Sequence, residues 1–223
     1  MSLGRWFAMM ALCGWGGAGT ASAQAVPTGA AAPAPVLLTQ SGDSYKFLSE
    51  LYHAGEDRPR DRRSAVALCF VGREASACAE ALPPFMALAE QMQGREALRG
   101  KARFYVVGTD PLDQKDALAA LLARHGVRPP VLTLLDPQRK ACMEFGVENM
   151  PRTFVISKYG TLVADIEGAG SGYAKALATG VVKAVRDAGG AQRPARAQAL
   201  PPPPVRGGAA AKDEGDPRQP MRW

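Results

Sequence analysis

The chain has 223 residues, 47% of them hydrophobic, with 27 Lys and Arg against 21 Asp and Glu for a net charge of +6. That length supplies one core of ordinary domain size with segments left over. The basic excess is mixed with acidic residues and partly gathered in the tail, with no basic run interleaved with aromatics, which argues against nucleic-acid binding; two His and four Cys supply no ligand set at metal spacing.

Residues 1–23, MSLGRWFAMMALCGWGGAGTASA, place Arg5 before an apolar segment from Trp6 to about Ala18 and end on Ala21-Ser22-Ala23. This is the form of a secretory signal cleaved after Ala23. The apolar run is too short to span a bilayer comfortably, and Leu12 is bulkier than the residue that usually precedes a lipid-anchor Cys such as Cys13 would be. The expectation is an exported chain, periplasmic in a bacterial envelope or secreted, with no stable membrane span after cleavage. Cys69, Cys78 and Cys142 then occupy a compartment that permits disulfides, and three thiols leave at least one unpaired in a monomer.

Residues 24–35 are rich in Ala and Pro and read as an extended linker. The folded domain is expected over residues 36–188. Val36 to Thr39 suit an edge strand, and Tyr45, Leu48, Leu51 and Tyr52 have helical spacing, followed by a lone His53 with no metal partner and a mixed-charge loop from Glu56 to Arg63. Ala65 to Val71 is a short apolar run ended by Gly72, the pattern of a strand buried on both faces. Ser76 is placed to cap a helix from Ala77 to about Gln93, where Leu82, Phe85, Met86, Ala89 and Met92 share one face and Pro83 and Pro84 either kink the helix or delay its start.

Arg103 to Gly108 predicts a second central strand, Leu112 to His125 a helix ended by Gly126, and Val131 to Leu135 a third strand. His125, at a helix C-terminus, reads as a capping or dipole-complementing residue. A short helix follows through Phe145, with Cys142 on its inward side and Cys69 packed in its strand. Ile166 to Gly172 is a Gly-rich turn, and Tyr173 to Ala188 is a closing helix with Leu177, Val181, Val182 and Val185 on one face. Strand and helix alternation implies an α/β domain, its sheet mixed but mainly parallel, with helices on both faces. Residues 189–223, with Pro201 to Pro204 and few large apolar residues, read as a disordered Pro/Gly/Ala-rich tail.

Two segments resemble the thioredoxin-like superfamily, and most closely its exported TlpA-type thiol-disulfide oxidoreductases. The first is AVALCFVGREASACAEALP, Ala65 to Pro83, which is similar to the family's FWATWCxxCxxEMP turn. Aligned on Pro83, Cys78 matches the second, resolving cysteine, while the first, nucleophilic cysteine falls on Ala75, the preceding Trp on Glu74 and the family acid on Ala81. The second is FGVENMPRTFVISKYGTLV, Phe145 to Val163, which resembles YGVxxxPTTFLIDxxGxIV. Taken alone, Pro151 reads as a trans proline opening a strand; the resemblance implies instead a cis Met150-Pro151 bond packed near Cys78.

The resemblance implies a thioredoxin-like fold, no cofactor, and a site with Cys78 as the possible catalytic thiol and Pro151 as the cis-proline. The nucleophile is lost at Ala75, and Glu74, Ser76 and Met150 form a binding surface. A helix N-terminus lowers the pKa of Cys78, whereas burial and the charges of Glu74 and Glu80 raise it. Dithiol exchange needs an attacking thiolate and a second thiol that resolves the mixed disulfide. Two function classes follow: a binding or scaffold module that holds an envelope protein or peptide segment beside Pro151, or a single-Cys redox enzyme, peroxiredoxin-like or mixed-disulfide-forming, that uses Cys78. The peroxiredoxin pattern Thr-x-x-Cys reads here as Ala75-Ser76-Ala77-Cys78. Disulfide reach from Cys142 to Cys69 or Cys78 depends on the fold.

Overall fold

The computed structural model describes residues 25–45, 64–74 and 76–187. The expected signal segment, the helical face through Leu48, Leu51 and Tyr52, His53, Ala75 and the tail lie outside the described residues. Among the described residues, seven strands form one sheet in the order β2-β1-β5-β4-β3-β6-β7.

The centre is β3 (Ala65–Val71), all seven of whose residues are buried. It runs parallel to β4 (Ala102–Gly108), and β4 runs parallel to β5 (Leu132–Leu135). These parallel pairs need crossovers, supplied by α1 (Ala77–Gly94) between β3 and β4 and by α2 (Lys115–Arg124), with a short 3-10 turn before it, between β4 and β5. The flanks are antiparallel. On one side β5 pairs with β1 (Leu37–Thr39) and β1 with β2 (Ser44–Tyr45); on the other, β3 pairs with β6 (Arg152–Ile156) and β6 with β7 (Leu162–Glu167). The sheet is mixed, as anticipated, but its parallel character is confined to the central trio. Nor is β1 at the edge: the Thr39–Asp43 turn folds β2 back outside it, with the Thr39 N–H donating to the Asp43 carbonyl at 2.8 Å.

Helices cover both faces. The inward side chains Ala67, Cys69 and Val71 of β3 meet α1, α2 and α4 (Tyr173–Arg186). The alternate set, Val66, Leu68 and Phe70, meets α3 (Lys140–Phe145). There Phe70, Phe145 and Phe154 form a ring cluster with centroids 4.8 to 5.7 Å apart. On the first face, Gly180 lets α4 settle on β6 and β7: a Cβ there would meet the Ala164 Cβ at 3.0 Å and the Val155 Cγ2 at 3.3 Å.

Pro83 and Pro84 lie within α1 rather than delaying it. Each removes one donor from the ladder, leaving the Ala79 and Glu80 carbonyls without their intrahelical N–H. Pro83 and Glu80 are exposed, so water can take those acceptors while Leu82, Phe85 and Met86 stay packed. Ser76 occupies the N-cap position but makes no capping hydrogen bond through its side chain.

Residues 25–35 depart from the linker reading. Gly29 N–H donates to the Leu162 carbonyl at 2.7 Å, Leu162 N–H to the Ala30 carbonyl at 2.9 Å and Ala32 N–H to the Gly160 carbonyl at 2.8 Å, with Ala31 bridging Thr161 antiparallel. Ala32 is buried and Val26 packs on the aromatic face. Small side chains let this backbone lie against the β6–β7 hairpin and occupy its edge.

Candidate functional site

Three chain segments meet at the C-terminal ends of the parallel strands, where α/β sheets place ligands: the β3–α1 turn, the loop after β4, and the entry to β6. Register brings them together. Val71 lies opposite Gly108 on β4, and Phe70 lies opposite Arg152 on β6. Just beyond these pairs the chain turns at Gly72 on one side and enters from Met150-Pro151 on the other.

Gly72 is the contact point. A Cβ there would meet the Met150 Sδ at 3.2 Å and the Thr109 Oγ1 at 3.4 Å, so a larger residue would require these side chains to give way. Thr109 ties the three segments. Its N–H and hydroxyl both donate to the Val71 carbonyl, at 3.1 and 3.2 Å, and the hydroxyl lies 3.2 Å from the Met150 Sδ. The Met150-Pro151 bond is cis. The Pro151 carbonyl accepts the Gly168 N–H at 2.9 Å, which fastens this entry to the end of β7.

Cys78, in the first turn of α1, is buried. Burial pushes its thiol pKa above the ordinary 9.0; the Gly72 backbone N–H draws it down in part, and the Asp110 carboxylate pushes it up again. The opposing acid is therefore Asp110, from the loop after β4, rather than Glu74 or Glu80. Asp110 is itself held by the Arg73 N–H, 3.0 and 3.4 Å from its two oxygens. At neutral pH this leaves Cys78 a protonated thiol, a poor nucleophile and a weak donor.

The other two thiols are also free and buried. Cys69, on the same face of the sheet as Cys78, is pushed up to about 12 by burial, against the hydrogen bond of Thr153. Thr153 and Tyr173 share a hydroxyl hydrogen bond of 2.9 Å beside it. Cys142 is pushed up to about 12, by burial first and then by Asp136, and it belongs to the opposite core. The sheet stands between Cys142 and the other two, which removes it as a replacement partner for Cys78.

Of the sequence-predicted surface, Glu74 and Ser76 are exposed at the turn and Met150 is half-buried over Gly72. Ala75 lies outside the described residues. Sequence reasoning missed four contributors: Thr109, Asp110, Arg73 and His125. The first two had a readable signal, because a Thr-Asp-Pro turn after the strand next to β3 must emerge beside the β3 turn. Arg152, where the family pattern has Thr, was also missed; its guanidinium makes a two-pronged ion pair with Asp165 at 2.8 and 2.7 Å and lies over the Phe154 ring. His125 does terminate α2, its N–H donating to the Leu121 and Leu122 carbonyls. It also lines, with Cys78, Arg73 and Ser76, a cavity of about 250 Å3 between α1 and α2. Among the described residues no group of three or more His, Cys, Asp or Glu is placed to hold a metal ion, and no helix is long and apolar enough to cross a membrane.

No protein-family model matches this sequence, and no curated protein matches it. Solved structures do. A protein named as the thiol:disulfide interchange protein DsbE of Chlorobium tepidum superposes with a TM-score of 0.55 at 22% identity, over 72% of this chain and 99% of that one. The thioredoxin domain of a thiol-disulfide oxidoreductase from Bacteroides vulgatus gives 0.53 at 16% identity, over 70% and 99%. A thiol:disulfide interchange protein from a Bacteroides species gives 0.53 at 17%, over 75% and 96%. With the cis-proline entry beside the β3–α1 turn and a sheet of this order, the chain has a thioredoxin-like α/β fold, the one seen in these thiol:disulfide interchange proteins.

Proposed function

We propose that this is an exported thioredoxin-fold protein of TlpA-like lineage that has lost dithiol exchange and serves as a binding module. In this reading an extended envelope protein or peptide segment docks beside Pro151, against Glu74, Ser76 and Met150. The observation that carries it is the state of Cys78: Ala75 supplies no sulfur three residues earlier, Cys142 lies across the sheet, Cys69 on the same face is a free thiol buried within β3, and Cys78 itself is buried beside Asp110. Exchange needs one thiolate to attack and a second to release the product. A methyl group at the attacking position leaves a shaped surface without the reaction. Export rests on the form of residues 1–23.

The test is insulin reduction by the mature protein with dithiothreitol as the electron source. The wild type gives the rate of dithiothreitol alone, and Ala75→Cys raises it. Appreciable wild-type turnover defeats the module reading.

A second reading has one observation in its favour, the cavity that Cys78 shares with Arg73 and His125. In it the Cys78 sulfur attacks a peroxide, the O–O bond breaks, the sulfur is oxidised to a sulfenic acid, and the thiol proton leaves with the departing oxygen as water or alcohol. Mass spectrometry showing a sulfenic acid at Cys78 after brief peroxide treatment would favour it over the module.

A further inference from the structure

The cavity between α1 and α2 has a chemical character that neither reading above requires. Its walls are largely aliphatic, with Leu82 from α1 and Leu121 and Leu122 from the end of α2, and its lining includes the polar groups of Arg73, Ser76 and His125. The Arg73 head donates from Nη2 to the uncharged Gln114 Oε1 at 2.7 Å, so the bond fixes the guanidinium without cancelling its charge. The Asp110 carboxylate, whose charge reaches the Cys78 thiol, is held by the Arg73 backbone N–H and is not among the residues that line the cavity. Ser76 keeps its hydroxyl free of any helix-capping bond. At about 250 Å3 the space is smaller than the pockets that take drug-sized ligands, which run from roughly 300 Å3 upward. A small ligand with an aliphatic body and one anionic end matches this combination, since a guanidinium with a fixed orientation selects carboxylates.

We propose that this cavity is a binding site for a short-chain aliphatic monocarboxylate, its chain against Leu82, Leu121 and Leu122 and its carboxylate between Arg73 and His125. The site does not depend on whether Cys78 exchanges disulfides or reacts with peroxide. Cys78 forms part of the wall and so reports occupancy.

The experiment uses the full mature chain and hexanoate as the probe, with hexan-1-ol and hexylamine as uncharged and cationic controls of equal chain length. Alkylation of Cys78 by iodoacetamide is followed by mass spectrometry. Hexanoate is expected to protect Cys78 at concentrations about tenfold below those needed for either control, the size of effect one charge-assisted hydrogen bond supplies. Arg73→Gln is expected to remove that difference while leaving the thermal midpoint in place. Equal protection by all three, or protection by none, overturns the proposal. If native Cys78 resists alkylation outright, the His125 imidazole resonance is titrated with hexanoate instead: a saturable shift that is lost in Arg73→Gln supports the site, and no shift overturns it. Neither result bears on insulin reduction, so this proposal and the binding-module reading fail separately.

Discussion

The two faces of the sheet bury the same kinds of residue by different means. One face is covered by three helices, α1, α2 and α4, which place Leu82, Phe85, Leu118, Leu122, Leu177 and Val181 in one core against the sheet. Among the described residues the other face has only the six-residue α3 and the Ala/Pro segment before β1, with a cluster of three Phe rings supplying the bulk. Each face holds cysteine. On the helical face Cys78 borders a cavity, because α1 and α2 leave a gap where their ends meet the strand ends. On the aromatic face the Cys142 N–H is fixed to the Asp136 carboxylate at 2.9 Å and the thiol sits in a filled core. Cys78 and Cys142 are nonetheless equally exposed, at 2%, and all three thiols have pKa values raised first by the loss of water, so one short helix backed by aromatic rings shields a thiol as fully as three helices do.

That comparison can be broken most severely on the thin face. Phe145→Ala removes the ring that touches both Phe70 and Phe154 from a helix too short to repack, and a loss of about 3–5 kcal/mol is expected in urea unfolding. A loss below about 1 kcal/mol would show that the aromatic cluster is not what holds this face.

The next effect is a dependence on pH that both faces share. Cys69 and Cys142 stay protonated in the folded protein up to about 12, whereas the same thiols in the unfolded chain ionise near their ordinary value of 9.0. Below that value both states hold the proton and stability is unaffected. Above it the unfolded chain releases protons that the folded one retains, so stability falls as pH rises from about 9 toward 12. Thermal midpoints across this range should decline, and Cys69→Ala and Cys142→Ala should each flatten the decline. A slope unchanged in both variants would mean that other groups control it.

The smallest effect sharpens the comparison from the helical side. Arg128 bridges Glu90 of α1 at 2.6 Å, but the two side chains are 65% and 45% exposed. Arg128→Gln should change stability by less than about 0.5 kcal/mol, because an exposed pair gains little over its hydration. A larger loss in chemical denaturation would mean that charge, and not apolar packing, secures α1 and α2.

Much of the fold was legible in the chain because it is written in short-range patterns. The unbroken apolar run Ala65 to Val71 is the observed β3 to the residue, and the helical spacing after Ala77 is the observed α1. The boundaries of β4, β5 and α4 differ from expectation by one or two residues, the usual fraying of ends. The Ala/Pro run misled because its backbone, which composition does not describe, makes the hydrogen bonds to Gly160 and Leu162. The place of Asp110 and His125 beside Cys78 was illegible for a related reason: neither is near Cys78 in sequence, and each reaches its neighbourhood only through the ordering of the strands.

The sequence by itself determined the strand and helix periodicity, the single sulfur at the turn and the proline that opens β6, since each depends on residues within one or two turns of chain. The tertiary structure alone decided which carboxylate acts on that sulfur, that Cys142 lies on the other side of the sheet from it, and that a cavity with Arg73 and His125 adjoins it. Those outcomes rest on strand order and on the alternation of side chains across a sheet, and both are settled only when distant segments pair.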